Sequence, residues 1–375
     1  MCWHWTPSSR HCVMADPRPA RAVALRALLD TAGVDALLIT HLANIRWLTG
    51  FTGSAGLLVV SQGTLTLISD FRYATQAPQE AGSAADVVID RKNVWDRLAR
   101  VLATVAPGTL GVEGAVVSLR EADRIRAATS ARVEPLLDTV EQLRQVKDAA
   151  EVAAIRAAGT LAHEALAELL PTIRVGEREL DVASRLEAAL RLRGSEWHPF
   201  PTIVASGPRS ALPHARTTDR VIGRGEFLLI DFGAQLEGYC SDITRTVVVG
   251  APADERQRSV YALVGEAQRR AREGVRAGMS GSEADALARE LITARGFGDA
   301  FGHSLGHGLG LEVHEAPRLA PTAEAPLPVG AVVTVEPGIY LPGWGGVRLE
   351  DDVWLSADGP VLLTDGRTDL IELDS

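Results

Sequence analysis

The stretch EFLLIDFGAQLEGYCSDITRTVVV (residues 226–249) decides the fold of the C-terminal part of the chain. Apolar runs at 226–232 and 243–249 flank a polar segment, a pattern that predicts two strands joined as a hairpin. A turn centred on Leu236 and Glu237 would make Asp231 and Asp242 cross-strand neighbours, with Cβ atoms about 5 Å apart. Two buried carboxylates this close repel each other unless a proton, a base or a cation lies between them. A metal ion is the favoured answer in so apolar a strand, and a strand-end aspartate beside a turn cap is the alternative.

A second predicted hairpin repeats this arrangement. Strands at 332–336 and 347–355 flank a Gly- and Pro-rich loop at 342–346, and Glu336 and Glu350 lie symmetrically about Gly343. The symmetry lets these two carboxylates face one another. Taken alone, the acidic run at 350–352 is more typical of a solvated turn.

Between the two hairpins lies GHSLGHGLGLEVHE (residues 302–315), which holds three of the nine histidines in the chain. Four glycines at 302–310 disfavour a helix and predict an extended or looped segment packed close to a site. Four carboxylates with one imidazole form an oxygen-rich ligand set for two divalent ions. Manganese is the expected metal, with cobalt or zinc as alternatives. Paired divalent ions favour hydrolysis over redox chemistry.

The order of predicted elements defines the architecture around these hairpins. Helices at 149–170 and 180–193 precede the first hairpin, and helices at 255–276 and 283–294 precede the second. The repeat predicts an α+β domain with two similar halves around one shared sheet. Helix and strand patterns at 21–138 predict a smaller α/β domain before it.

The domain boundaries follow from changes in this pattern. We expect an N-terminal α/β domain at 17–140, a charged linker at 141–148 and the α+β domain at 149–375. Residues 1–16 are expected to form a disordered extension. Translation begins either at Met1 or at Met14, which directly precedes the first helical pattern.

Composition excludes several classes of protein. The net charge of −10 argues against nucleic-acid binding, which needs clustered basic residues. The chain holds 3 cysteines, too few for a disulfide framework, so a cytoplasmic location is expected. No apolar run approaches the roughly 18 residues that span a bilayer, so no membrane partner is expected.

Several motifs, in this order and spacing, resemble those of the metal-dependent Xaa-Pro peptidases, aminopeptidase P and prolidase, of the pita-bread metallopeptidase superfamily. The resemblance runs from about Arg21 to the end of the chain. It implies a C-terminal pita-bread domain with pseudo-twofold halves, preceded by a creatinase-type N-terminal domain. The matching segments are 205–207, 212–214, 230–233, 241–245, 303–315, 336–340 and 348–351.

The resemblance also implies a role for each matching residue. Asp231 and Asp242 would bind one metal ion, with Asp242 bridging to a second. His307, Glu336 and Glu350 would complete the metal set, with Glu350 as the other bridge and Glu336 as the acceptor of a proton from the attacking water.

Four further residues would act on the substrate or on the metal ligands. His214 and His314 would act in catalysis by holding the scissile carbonyl, the developing oxyanion or the proline nitrogen. His303 would line the substrate pocket on the proline side. Arg348 would bind near the substrate and brace the carboxylates.

The implied activity is removal of an N-terminal residue that precedes proline from small peptides. The resemblance also implies a homodimer. Segments 51–54 and 70–73 resemble the N-terminal domain of small bacterial aminopeptidases P, which favours that activity over the alternative, a prolidase restricted to Xaa-Pro dipeptides. A metal-free creatinase-like hydrolase and a non-catalytic binding protein are more remote, because all five ligand positions are filled.

Overall fold

The computed structural model describes residues 16–364, 366 and 368–374. The predicted extension and the two candidate start positions lie outside the described residues, apart from Asp16, whose carboxylate accepts a hydrogen bond from the backbone of Arg18. The chain divides between Thr139 and Val140 into two compact units. We keep 17–140 and 149–375 as the proposed domains, with 141–148 between them.

The N-terminal unit is built on one mixed six-stranded sheet in the order β4-β3-β2-β1-β5-β6. Its helices are α1 (Arg18–Ala32), α2 (Leu42–Thr49), α3 (Gln76–Ala81), α4 (Val94–Val105) and α5 (Leu119–Ala128). Its strands are β1 (Ala36–Ile39), β2 (Leu57–Ser61), β3 (Leu65–Asp70), β4 (Asp86–Asp90), β5 (Thr109–Glu113) and β6 (Arg132–Leu136). Apolar side chains of α4 and α5, including Leu98 and Ile125, pack with the buried strands β1, β2 and β5.

The C-terminal unit holds the longer helices and the remaining strands. Its helices are α6 (Glu141–Arg144), α7 (Ala149–Leu169), α8 (Glu179–Leu192), α9 (Glu255–Gly274) and α10 (Gly281–Ala294). Its first strands are β7 (Ile203–Ser206), β8 (Glu226–Phe232), β9 (Gln235–Leu236), β10 (Tyr239–Cys240) and β11 (Ile243–Val249). Its later strands are β12 (Gly306–Gly308), β13 (Glu315–Leu319), β14 (Val332–Val335), β15 (Gly338–Leu341), β16 (Gly345–Arg348), β17 (Asp351–Ser356), β18 (Gly359–Leu362) and β19 (Ile371–Leu373).

Three of the long helices begin at capping boxes, which explains why their starts are legible in the sequence. In α7, α9 and α10 the N-cap side chain accepts a hydrogen bond from the backbone N–H of the third helical residue. The side chain of that third residue accepts one from the backbone N–H of the N-cap residue. Each box satisfies backbone N–H groups that a helix end leaves without partners. Among the described residues, none of these helices is long and apolar enough to cross a membrane.

The order helix, helix, hairpin occurs twice, as predicted, but the strands do not share one sheet. A four-stranded sheet has the order β19-β11-β8-β7, and a five-stranded sheet has the order β13-β12-β14-β17-β18. The hairpin of β14 and β17 loses its ladder at Pro337, which has no N–H to donate. Isolated hydrogen bonds join the two sheets instead, such as the one from the Glu350 N–H to the Thr244 carbonyl at 3.1 Å.

Candidate metal centre

The first hairpin brings Asp231 and Asp242 to one place through a register different from the predicted one. Asp231 pairs with Thr244, so the predicted pairing with Asp242 is wrong by two residues. The turn falls at Glu237 and Gly238, with φ of 50° and 80°. Two consecutive positive φ values are those of the type I′ turn that suits a two-residue hairpin. A shift by an even number of residues keeps alternate side chains on the same face of the sheet.

Asp242 lies directly before β11, where the backbone turns towards the second hairpin. Its N–H donates to the Asp352 carboxylate at 3.2 Å, and its side chain is buried. Burial, together with the charges of Glu350 and Asp231, holds the pKa of the Asp242 carboxyl well above its usual range. The negative charge of this site therefore has to be balanced before Asp242 ionises.

The second hairpin follows the predicted symmetry about Gly343. Val335 pairs with Asp351 on one side, and Gly338 pairs with Arg348 on the other, so Glu336 and Glu350 fall between the two ladders. The Glu336 N–H donates to the Leu305 carbonyl at 2.9 Å, and the Glu350 N–H donates across to the first hairpin. The hairpin thus opens at this point and joins both neighbouring segments.

Burial dominates the electrostatics of these two glutamates. It raises the pKa of Glu336 to about 8, against the opposing charge of Arg348. Burial and the charges of Glu336 and Asp231 also hold the pKa of Glu350 well above its usual range. The Glu350 carboxylate accepts a hydrogen bond of 2.6 Å from the Thr244 hydroxyl, which fixes its orientation.

His307 lies on the short strand β12, as the glycine pattern predicted for an extended segment. A Cβ on Gly306 would lie 2.0 Å from the Thr334 carbonyl oxygen, and a Cβ on Gly308 would lie 2.2 Å from that of Ala316. Neighbouring backbone therefore occupies the space of any side chain at these two positions. The glycines allow β12 to pass between its neighbours and deliver the imidazole to the carboxylates.

The His307 ring is oriented as a ligand. Nδ1 lies 2.9 Å from the Gly308 carbonyl and must carry the proton to bond it, which leaves the lone pair of Nε2 facing the carboxylates. Nε2 is 3.7 Å from an Asp242 oxygen and 3.5 Å from a Glu336 oxygen. Burial lowers the pKa of His307 to about 4, so the ring is neutral near pH 7.

The donor set fits divalent cations. Ligand atoms of Asp242, His307 and Glu350 all lie within 4.8 Å of one another. In the described part of the chain, the buried Oδ1 of Asp231 has no hydrogen-bond partner. A buried carboxylate oxygen without a partner is costly unless a cation satisfies it.

Arg348 connects this cluster to the neighbouring segments of the chain through hydrogen bonds. Its guanidinium donates to the Asp231 carboxylate at 2.5 Å, to the Thr244 hydroxyl at 3.0 Å and to the Pro213 carbonyl at 3.0 Å. It is only 3% exposed, so these bonds are shielded from water. One side chain therefore connects a candidate metal ligand to the loop that carries His214.

His303 lies at the side of the cluster, where both ring nitrogens are engaged by the protein. Nδ1 is 2.8 Å from the Ser304 carbonyl, and Nε2 is 2.8 Å from the Tyr340 hydroxyl. Tyr340 in turn accepts a hydrogen bond of 2.8 Å from Arg348. Burial lowers the pKa of His303 to about 4, so the ring offers a neutral, flat wall.

His314 and His214 are the more exposed members of the predicted set. The His314 ring contacts that of His307 edge-on, with centroids 4.4 Å apart. Its pKa is lowered by burial and by the charge of His214. His214 lies exposed on the loop after β7, and its charge also lowers the pKa of His303. His214 therefore interacts electrostatically with both His303 and His314.

Sequence reasoning missed the supporting polar residues. Tyr340 had a usable signal, because pairing about Gly343 makes it a diagonal neighbour of Arg348. The acidic run at 350–352 is buried throughout, which excludes the solvated turn that such a run would more often form when taken alone. Asp351 is neutralised by Arg245 at 2.7 Å, an ion pair that lies 106 positions apart in sequence and has no local signature.

Comparison with known proteins identifies the class to which this fold and site belong. Residues 153–357 match the family described as Metallopeptidase family M24, and residues 21–146 match the Creatinase/Prolidase N-terminal domain. The chain is a member of this metallopeptidase family. The predicted pita-bread fold, with its creatinase-type N-terminal domain, is confirmed, and family membership implies divalent metal.

Individual relatives cover nearly the whole chain. An Xaa-Pro dipeptidase of Pyrococcus furiosus is 38% identical, over 94% of this chain and 99% of its own length. The structure of an Xaa-Pro dipeptidase from Bacillus anthracis has a TM-score of 0.92 and 39% identity, and covers 95% of this chain and 100% of that one. The structure of an X-Pro aminopeptidase from Thermotoga maritima has a TM-score of 0.87 and 40% identity, and covers 94% of this chain and 99% of that one.

Proposed function

We propose that this protein is a dinuclear-metal Xaa-Pro aminopeptidase, which hydrolyses the bond between an N-terminal residue and a following proline. The observation that carries the proposal is the cluster of buried Asp242 and Glu350 with the partly buried His307, whose ligand atoms lie within 4.8 Å of one another. A cytoplasmic homodimer, as expected from the sequence, is part of the proposal. The presence of all five ligand residues argues against a metal-free hydrolase or a binding protein.

The metal ligands are proposed residue by residue. Asp231 and Asp242 would hold one ion, Asp242 and Glu350 would reach both, and His307 and Glu336 would complete the set. Manganese suits these oxygen-rich donors, and cobalt or zinc are the alternatives. When bound, the pair of ions would supply positive charge that polarises a carbonyl and lowers the pKa of water.

The surrounding residues would move the proton and hold the substrate. Glu336 would accept a proton from the attacking water, as the resemblance implies for this position. His314 and His214 would hold the scissile carbonyl as negative charge develops on its oxygen, and would protonate or orient the departing proline nitrogen. His303 would present its ring to the proline, because both of its nitrogens are already bonded within the protein.

Peptide length separates the two candidate activities. The resemblance of segments 51–54 and 70–73 to small bacterial aminopeptidases P, together with the Thermotoga maritima relative, supports the aminopeptidase. The names of the Pyrococcus furiosus and Bacillus anthracis relatives favour an Xaa-Pro dipeptidase as the second candidate. The two differ in whether the pocket beyond proline accepts further residues or captures a free carboxylate.

A matched set of peptides tests this proposal. With manganese present, we expect Ala-Pro-Ala to be cleaved between alanine and proline at least as efficiently as Ala-Pro, measured as kcat/KM. Ala-Ala-Ala serves as the control for the proline requirement. A strong preference for Ala-Pro would replace the aminopeptidase with the dipeptidase. Cleavage of Ala-Ala-Ala as efficient as that of Ala-Pro-Ala would overturn both.

A further inference from the structure

The loop that carries His314 is anchored by the carboxylate of Glu315, which bonds to groups other than the proposed metal ligands. Residues 309–314 connect β12 to β13, and the side chain of Glu315, the first residue of β13, is only 7% exposed. One of its oxygens accepts a hydrogen bond of 3.0 Å from the Glu312 N–H, which closes the loop on itself. A Cβ on Gly310 would lie 2.9 Å from both carboxylate oxygens, so the loop backbone is packed directly against the Glu315 carboxylate.

Two cations from a distant part of the sequence meet this carboxylate. Arg144, at the end of α6, donates to one oxygen of Glu315 and also to the Glu312 carboxylate at 3.0 Å. Lys147 donates to the other oxygen of Glu315 at 3.2 Å. The side chains of Arg144 and Lys147 are 3% and 1% exposed, so both charges are held out of water.

The backbone around this ionic cluster is fixed as well. The Lys147 N–H donates to the Gly330 carbonyl at 3.0 Å, next to β14, and the Cys240 N–H donates to the Gly310 carbonyl at 2.8 Å. The cluster is therefore tied to both hairpins that supply the candidate metal ligands. Removing one partner of such a buried cluster leaves an uncompensated charge, which has to move or draw in water.

We propose that Arg144, Lys147 and Glu315, here called the Glu315 clamp, are positioning residues that hold His314 in place for the reaction. The inference rests on the proposed function, because it assigns His314 a role at the scissile carbonyl. Glu315 is the next residue after His314, and the His314 ring contacts that of His307 at 4.4 Å. Fixing the Glu315 side chain restricts the backbone from which the His314 side chain extends. A displacement of about 1 Å in a group that contacts the reacting atoms lowers rates by up to about 100-fold.

The first variant is Glu315→Gln, which keeps the side-chain volume and the acceptor for the Glu312 N–H but removes the charge that faces Arg144 and Lys147. We expect kcat on Ala-Pro-Ala to fall by about 10- to 100-fold, while KM and the manganese bound per chain stay unchanged. Lys147→Met is the milder second variant, because the contact between Arg144 and Glu315 remains. Its kcat should fall less than that of Glu315→Gln.

A double-mutant cycle separates positioning from a general loss of structure. In a chain that already carries His314→Ala, adding Glu315→Gln should cost less than about 2-fold, because the clamp acts through the missing ring. If His314→Ala slows the enzyme but the two losses multiply, the clamp inference is overturned and the proposed function stands. If His314→Ala retains the full rate, the assignment of His314 in the proposed function fails, and the clamp inference fails with it.

Discussion

Replacing Arg348 by methionine tests whether its partner Asp231 is a metal ligand. The guanidinium donates to Asp231, Thr244, Pro213 and Tyr340, and methionine keeps much of the side-chain length while removing every donor. Asp231 is 8% exposed, so it would remain as a buried carboxylate without a cation. Breaking a buried ion pair in this way costs about 3–5 kcal/mol of folding free energy.

Arg245→Met provides a control within the same unit. Arg245 is 2% exposed and donates to Asp351 at 2.7 Å, so its loss breaks a buried ion pair, while Arg272 at 3.3 Å still balances the charge of Asp351. Asp351 is not among the proposed ligands. Without metal, Arg348→Met should therefore lose about 3–5 kcal/mol of free energy of unfolding, and Arg245→Met should lose less, because Arg272 still faces Asp351.

Manganese should distinguish the two variants. In Arg348→Met a bound ion can compensate the charge of Asp231, so the difference in stability from the wild-type protein should shrink on saturation with manganese. In Arg245→Met the difference should persist. Two effects on manganese binding oppose each other in Arg348→Met. Losing the orienting contacts of Arg348 would by itself weaken binding by about 10- to 100-fold, or roughly 1.4–2.7 kcal/mol. Removing the positive charge beside Asp231 strengthens binding by more than this, up to the roughly 3–5 kcal/mol of the broken ion pair.

The assay is thermal unfolding of chelator-treated and manganese-saturated protein. A loss of about 3–5 kcal/mol corresponds to a fall in Tm on the order of 10 °C. We expect Arg348→Met to recover more than half of this deficit with manganese, and Arg245→Met to recover little. Equal deficits in both metal states for Arg348→Met would refute the assignment of Asp231 as a ligand.

Three further predictions concern the proposed metal ligands, the proposed role of His314, and pH. Asp242→Ala or Glu350→Ala should abolish turnover and release manganese, measured by peptide hydrolysis and elemental analysis, and normal activity in either variant would refute the bridging assignment. His314→Ala should lower kcat by about 100-fold with manganese still bound; loss of the metal would show that His314 is itself a ligand. Burial raises the pKa values of Asp242 and Glu350, so the folded metal-free protein holds protons that the unfolded chain releases. His303 and His307, whose pKa values are lowered to about 4, oppose this trend below about pH 6.5, where only the unfolded chain protonates them. Stability without metal should therefore fall as pH rises from about 7 to 8, while manganese affinity rises because the ion displaces the carboxyl protons. Denaturation and manganese titrations at several pH values test both trends, and a manganese affinity that is flat over this range would contradict the charge balance described for the site.

Local signals in the sequence account for much of the fold. The predicted strands at 226–232 and 243–249 have the observed bounds, because each is a continuous apolar run between turn residues. The long helices start within two residues of their predicted positions where capping boxes mark them. These features depend on interactions between residues close together in the chain.

The predictions of strand pairing were wrong where the pairing depends on backbone conformation rather than on hydrophobic pattern. The first hairpin was registered two residues away from its observed pairing because Glu237 adopts a positive φ beside Gly238, which a residue with a Cβ seldom does. The prediction of a single shared sheet was wrong, and Pro337 divides the second hairpin into two separate ladders. Neither choice follows from hydrophobic periodicity, and both change the partners of candidate ligands.

The candidate site was predictable to the extent that it lies on the hairpins. Pairing about Gly343 correctly placed Glu336 and Glu350 between two ladders. The supporting contacts were not predictable in the same way, because they join distant segments. The bond from Thr246 to the Arg348 carbonyl spans 102 positions, and the contact of Arg144 with Glu315 spans 171.

The number of manganese ions bound per chain at saturation tests the central claim most directly. Equilibrium dialysis of chelator-treated protein, followed by elemental analysis and assay of Ala-Pro-Ala hydrolysis, gives occupancy and activity on the same sample. The account predicts two ions per chain, with full activity reached at the second. Saturation at one ion, or full activity in protein that binds none, would contradict it.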